Sequence, residues 1–177
     1  MSTQIAHIAG IDNTITVQPT LDTSAYASGD RLGSIHTITN AFREFHRPFG
    51  QTTPGVPTIA LGGNNILAEI TIIDQAKQSA AIDILFFDKS PTVASADNAA
   101  IDISDAEMIA KCIGVVSITN SYVALAGNSV VTQANLNLNM KQSFTATDQN
   151  LYAVCIIRAS ATYAADSLVF RYKFYQD

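Results

Sequence analysis

The sequence predicts an all-β protein: a two-sheet antiparallel β-sandwich, jelly-roll-like, with about eight strands and one short helix. Three observations predict it. Apolar and polar residues alternate at period two through several segments, the signature of half-buried strands. Helical periodicity with a start signal occurs once. The regular strand–helix alternation that an α/β fold needs is missing.

Three strands are marked by alternation. From Ile66, "ILAEITIID" sets Ile66, Ala68, Ile70 and Ile72 on one face and Glu69 and Thr71 on the other. From Val130, "VVTQANLNLNM" sets Val130, Ala134, Leu136, Leu138 and Met140 against Gln133, Asn135, Asn137 and Asn139. From Leu168, "LVFRYKFYQ" sets Leu168, Phe170, Tyr172 and Phe174 against Arg171 and Lys173. Thr14–Gln18 is a further strand candidate. Arg31–Ile38, Ile82–Phe87, Ile113–Thr119 and Leu151–Arg158 are more continuously apolar, as suits central strands covered on both faces. The helix is predicted in "SDAEMIAKC", where Ser104 stands three residues before Glu107 in a capping-box arrangement. Met108, Ile109 and Cys112 form its apolar stripe, and it suits a connection across the top of the sandwich.

Between strands, Arg43–Pro57 holds three of the five prolines and two glycines, which break or cannot donate to a ladder. It reads as a long loop, and loops of that length are usually functional or mobile. "LGGNN" reads as a turn before the Ile66 strand, and "KSPTVASADNAA" as a second polar connection. No repeat or boundary divides the chain, so residues 1–177 are expected to form one domain, with an N-terminal arm over residues 1–12.

Composition bounds the function. A chain of 177 residues can bury roughly 70% of its unfolded surface without staples. Only 14% of residues are charged, against about 25% on average. Ser, Thr, Asn, Gln and Ala replace them, the dress of a surface covered by neighbours or of a β-rich extracellular or virion protein. Net charge is −5 and the pI near 5.0. The ten basic residues are scattered, with no concentrated face for phosphates, so no nucleic-acid partner is expected. No run approaches the ~20 apolar residues of a membrane span. "MSTQIAHIAG" carries neither a basic end nor an apolar core, so synthesis in the cytoplasm without a secretory leader is expected.

Candidate chemistry is sparse. Cys112 and Cys155 are too few for a disulfide framework and read as free thiols, Cys155 inside the apolar run "LYAVCIIR". A thiol there is a poor nucleophile, since it needs exposure and a base. No two of His7, His36 and His46 stand at metal spacing. His36 reads as a strand histidine at a sheet surface, and His46 as a loop residue at a subunit contact or in solvent. Asp83 and Asp88 lie on one extended run, about 17 Å apart at normal strand rise, too far for a paired-carboxylate site. Asp97, Asp102 and Asp105, with Asn98, are the calcium candidates, although the segment lacks the spacing and central glycine of an EF-hand. Asp97 and Asn98 also suit a turn, and Asp105 the positive end of the helix. Tyr152, Tyr163, Phe170, Tyr172, Phe174 and Tyr175 make the C-terminal third aromatic, fit for a core or an interface and less so for stacking sugars. No cofactor is expected.

Four stretches resemble structural proteins encoded by tailed bacteriophages and prophages. They are "LDTSAYASGDRLGS" from Leu21, "DQAKQSAAIDILFFDKSPT" from Asp74, "DNAAIDISDAEMIAKCIGVVSI" from Asp97, and "LYAVCIIRASATYAADSLVFRYKFYQD" from Leu151. They run in the same order and cover more than half the chain. The resemblance implies a virion protein, most of all a capsid decoration (cement) protein on the outer surface of the phage head. It implies a homotrimer bound to the major capsid protein. No catalytic or ligand residue comes with it. Protomer contacts are expected from the N-terminal arm and from Arg43, Phe45, His46, Arg47 and Phe49 of the long loop. The rivals are a jelly-roll carbohydrate- or receptor-binding module of a head or tail fibre, a tail-tube or connector part, and, least, a depolymerase or lyase.

Overall fold

A computed structural model describes residues 11–39, 41, 64–141 and 150–176. Twelve strands and one helix occur among them. Nine belong to the main architecture: β1 (Ile11–Val17), β3 (His36–Ile38), β4 (Asn64–Asp74), β5 (Ile82–Phe87), β6 (Cys112–Ile118), β8 (Ser129–Gln133), β9 (Leu138–Lys141), β10 (Leu151–Ile157) and β12 (Leu168–Gln176). Two-residue strands β2 (Ala25–Tyr26), β7 (Val123–Ala124) and β11 (Ala161–Thr162) lie at the margins. All pairings of named strands are antiparallel.

One sheet runs β1-β12-β4-β8-β7, with β9 continuing along β4; the other runs β3-β10-β5-β6. Counting β8 and β9 as one interrupted strand leaves eight main strands in chain order. Their spatial order is then 1-8-3-6 in one sheet and 2-7-4-5 in the other. Apart from the consecutive pair 4-5, every pairing joins strands that are not consecutive, as in the doubled Greek key of a jelly roll. The sheets close on a single core, with Ile70, Ile72, Phe170 and Tyr172 from one meeting Ile84, Phe86, Ala153 and Cys155 from the other.

The two outer faces differ. All seven residues of β10 are buried, as the continuous apolar run predicts. Leu85, Phe87, Tyr152, Val154 and Ile156 point away from the core, and Val93, Ile101, Ile103 and Met108 of the following connection cover them. That connection contains α1 (Asp105–Lys111). Ser104 caps it, its side chain accepting from Glu107 N at 3.3 Å. The helix therefore lies over a sheet face instead of crossing the top of the sandwich. Met108 turns inward while Ile109, about 100° further round the axis, is 86% exposed and leaves the expected stripe.

β4 and β12 have one face on the core, as their alternation predicts. Leu168, Phe170, Tyr172 and Phe174 are all sealed from solvent. The phase of β4 reverses at its start: Leu67 is buried and Ile66 is 37% exposed. A bulge causes this, because Lys173 pairs with Glu69 but Phe174 pairs with Leu67, leaving Ala68 as the extra residue. The long strand expected from Val130 is interrupted beside it. β8 pairs with Ile70–Asp74, β9 pairs with Asn64–Leu67, and Asn135 and Asn137 between them take φ of 56° and 48°. Val131, not Val130, consequently faces the core.

The strand expected at Arg31–Ile38 shortens to His36–Ile38. Gly33, at φ 74°, breaks it, and a Cβ there would meet Pro19 Cβ at 3.0 Å. The last two residues of the expected arm, Ile11 and Asp12, belong to β1 and pair with Gln176 and Tyr175. The rest of that arm, the loop Arg43–Pro57 and most of "LGGNN" lie outside the described residues.

Candidate functional site

One cluster gathers the residue types of catalysis. His36 on β3, Cys155 on β10 and Tyr172 on β12 meet between the sheets. His36 Nδ1 lies 2.7 Å from the Tyr172 hydroxyl, and Cys155 Sγ lies 3.9 Å from both ring nitrogens. Phe170 stands edge-on to the imidazole at 4.6 Å between centroids. His36 is 1% exposed, so the surface position expected for it is wrong: it shares the inward face of β3 with Ile38. The pair to Tyr172 makes this burial tolerable, since an unpaired buried polar group costs about 1–3 kcal/mol.

Burial lowers the His36 pKa to about 3, so the ring is neutral at pH 7. Burial also pushes the Cys155 thiol and the Tyr172 phenol well above their ordinary values. A protonated thiol 1% exposed beside a neutral imidazole is no nucleophile. The cluster pins one sheet to the other and offers substrate no approach. Cys112 and Cys155 are both free, as expected.

The calcium candidates do not converge. Among the described residues, no three His, Cys, Asp or Glu side chains are grouped as metal ligands would be. Asp97 is instead the hub of a loop junction. Its Oδ1 accepts from Gly33 N at 2.6 Å and from the Tyr26 hydroxyl at 2.9 Å, and its Oδ2 accepts from Asp22 N at 2.7 Å. Asp22 Oδ1 in turn accepts from Ser24 N and Asn98 Nδ2. Donors fill the directions a cation would need. Asp102 is exposed on the covering connection, and Asp105 opens α1. Asp97→Ala strands three donors in a partly hydrated site, and we expect it to cost about 2–3 kcal/mol. Urea melts in calcium and in EDTA should show the same loss.

What remains is surface. β1, β12, β4 and β8 present an open polar face in cross-strand rows. Thr14, Lys173 and Glu69 form one row; Thr16, Arg171, Thr71 and Thr132 form the next. Thr71 Oγ1 and Thr132 Oγ1 are 3.0 Å apart. Thr14, Glu69, Thr71, Arg171 and Lys173 line a shallow trough of about 170 Å³. Exposed Tyr175 lies beyond it, its ring 5.9 Å from Lys173 Nζ. The other residues of the aromatic third, Tyr152, Tyr163, Phe170, Tyr172 and Phe174, are interior. Apolar exposure is greatest at Ile109 on α1, Val123 on β7, Val115 on β6 and Leu125. The trough was missed in sequence because its halves are separate in the chain; period two shows which residues face outward, not which strands are neighbours. The interface candidates Arg43, Phe45, His46, Arg47 and Phe49 lie outside the described residues.

No protein-family model matches the chain, and no curated protein matches it significantly. Among solved structures, that of tomato aspermy virus aligns with 100% of this chain and 82% of its own, at 10% identity and a TM-score of 0.34. Sacbrood virus of honeybee aligns with 99% of this chain and 71% of its own, at 9% identity and a TM-score of 0.30. Its expansion state II aligns with 96% and 81%, at 10% identity and a TM-score of 0.29. Overlaps this loose decide neither fold nor function, and the jelly-roll order rests on the strand pairings alone.

Proposed function

We propose that the chain is a non-enzymatic virion structural protein that decorates and stabilises the capsid of a tailed bacteriophage. It acts as a homotrimer on the outer surface of the head, held by protomer contacts and by the major capsid protein. The observation that carries this reading is a jelly-roll sandwich whose His36–Cys155–Tyr172 cluster is sealed in the core. Shape and surface are what such a molecule offers a partner, and viral capsids are among the established uses of the fold. The sequence resemblance supports the finer assignment. Two of its stretches, from Leu21 and from Asp97, meet at the Asp97 hub, so the resembling segments belong to one structural unit.

A cyclic trimer uses a head-to-tail interface, which the open polar face and the exposed apolar side chains of α1 and β7 can supply. Light scattering of the purified chain should give about three times 18.9 kDa. Adding it to shells that lack it should raise their rupture temperature. Shells that neither bind it nor gain stability would contradict the reading. The trough beside Tyr175 favours a second reading, a glycan-binding module of a head or tail fibre. Strong, selective binding on a glycan array would decide for it.

A further inference from the structure

We infer that the solvent side of α1 docks on the open face of a second copy of this chain. The inference rests on the trimer reading above and names its interface. Met108 is the residue of α1 that packs against the outward side chains of β5 and β10. No residue of α1 is buried. Ala106, Ile109 and Ala110, spaced i, i+3 and i+4, share another side of the helix and are exposed, Ile109 at 86%. An apolar stripe of that spacing is normally the side a helix buries. Here it faces solvent. Asp105 stands one turn before Ile109 and is exposed too, as is Asp102 just ahead of the helix. Glu107 and Lys111 pair with each other at 2.7 Å, so this end of the helix is negative.

The open face carries the complement. Tyr175 on β12 pairs directly with Ile66 on β4, and they are 42% and 37% exposed. Lys173 lies two residues before Tyr175 on the same face, its Nζ 5.9 Å from the ring, and Arg171 lies two residues before that. Glu69 is cross-strand from Lys173 and accepts from Thr71 Oγ1 at 3.1 Å. Two cations against one acid leave this stretch positive. The spacings match as well. From Asp105 to Ile109 the helix rises about 6 Å, and two strand residues span about 6.6–6.8 Å. With Ile109 resting on Tyr175 and Ile66, Asp105 reaches Lys173. Thr14 and Thr71 beside them are short, and so are Ala106 and Ala110, so helix and sheet approach closely. α1 covers the sheet containing β5 and β10, whereas the open face belongs to the other sheet. The contact is therefore made between copies and is head-to-tail, the type a cyclic trimer needs.

The test is light scattering with sedimentation velocity on the purified chain and its variants, with circular dichroism as the control for folding. The wild type gives about three times 18.9 kDa. Ile109→Glu and Tyr175→Glu each give a folded chain of 18.9 kDa. Mixed at rising concentration, these two approach twice 18.9 kDa, and neither does so alone. The intact face of the first takes the intact helix of the second, and no further contact forms. Asp105→Lys and Lys173→Glu each weaken association about tenfold, and the double variant, with both charges reversed, recovers most of the loss. Trimers that survive all four substitutions overturn the inference and leave the trimer reading standing. A mixture that never associates, or a double variant weaker than either single one, overturns it as well. A wild type that is monomeric throughout ends both.

Discussion

Lowering the pH from 7 to 4.5 is expected to cost the fold roughly 3 kcal/mol through His36 alone. The imidazole is sealed between the sheets, and burial lowers its pKa from 6.5 to about 3. The groups identified around it are Tyr172, Cys155, Phe170 and the facing core side chains; no carboxylate or cation is among them. Among the described residues no opposite charge stands there to stabilise an imidazolium. The unfolded chain binds the proton readily below pH 6.5, and the folded chain refuses it until about pH 3. Stability from this group is therefore complete above pH 6.5 and is lost progressively as pH falls towards 3. Asp22 and Glu107 work in the same direction at lower pH. The Ser24 backbone N–H holds Asp22 below its ordinary value, and Lys111 holds Glu107 below its own. Urea melts between pH 7 and 4.5 check this. His36→Gln keeps a polar partner for Tyr172 without the titration, so its stability should stay nearly level over that range. A wild type equally level would show that His36 is not buried as described.

Phe170→Ala should cost about 3–5 kcal/mol, the range for deleting a buried phenylalanine ring. Phe170 is completely buried on the eighth main strand. Its ring stands edge-on to His36 and is stacked on Tyr172 at 6.3 Å between centroids. Truncation opens a cavity beside a polar link between the sheets, so packing and the His36–Tyr172 pair should weaken together. A loss of this size should lower Tm by about 6–20 °C. Thr132→Ala, on the open face, should change stability by no more than ~0.5 kcal/mol. Equal effects at the two positions would contradict the arrangement of the sheets.

The strands were legible because half-buried strands alternate and fully covered ones do not. Each of the eight segments read from sequence overlaps one of the main strands, and β5 and β10 are covered on both faces as their apolar runs predict; the same expectation fails for β3 and β6, which form the two edges of that sheet and leave Val115 53% exposed. The errors sit where backbone geometry overrides pattern. The bulge at Ala68 inverts Ile66 and Leu67, and the left-handed pair Asn135 and Asn137 divides a run whose alternation looks unbroken. His36 was misplaced because a polar residue on a strand reads as outward-facing. Its partner, Tyr172, stands 136 residues away. Distance also hid the role of Asp97, whose partners Asp22, Tyr26 and Gly33 stand in a remote loop. A carboxylate that collects backbone N–H groups from remote loops looks, in sequence, like any acid in a polar turn. Pairing order, which builds the open face, has no local signal at all.

The central proposal is that this protein stabilises a shell by fit and contact and makes or breaks no bond. Its copy number and position in purified phage particles that carry its gene test this most directly, by quantitative mass spectrometry with antibody labelling. The account predicts many copies spread over the head, in multiples of three. A few copies confined to the tail, or none in the particle, would contradict it.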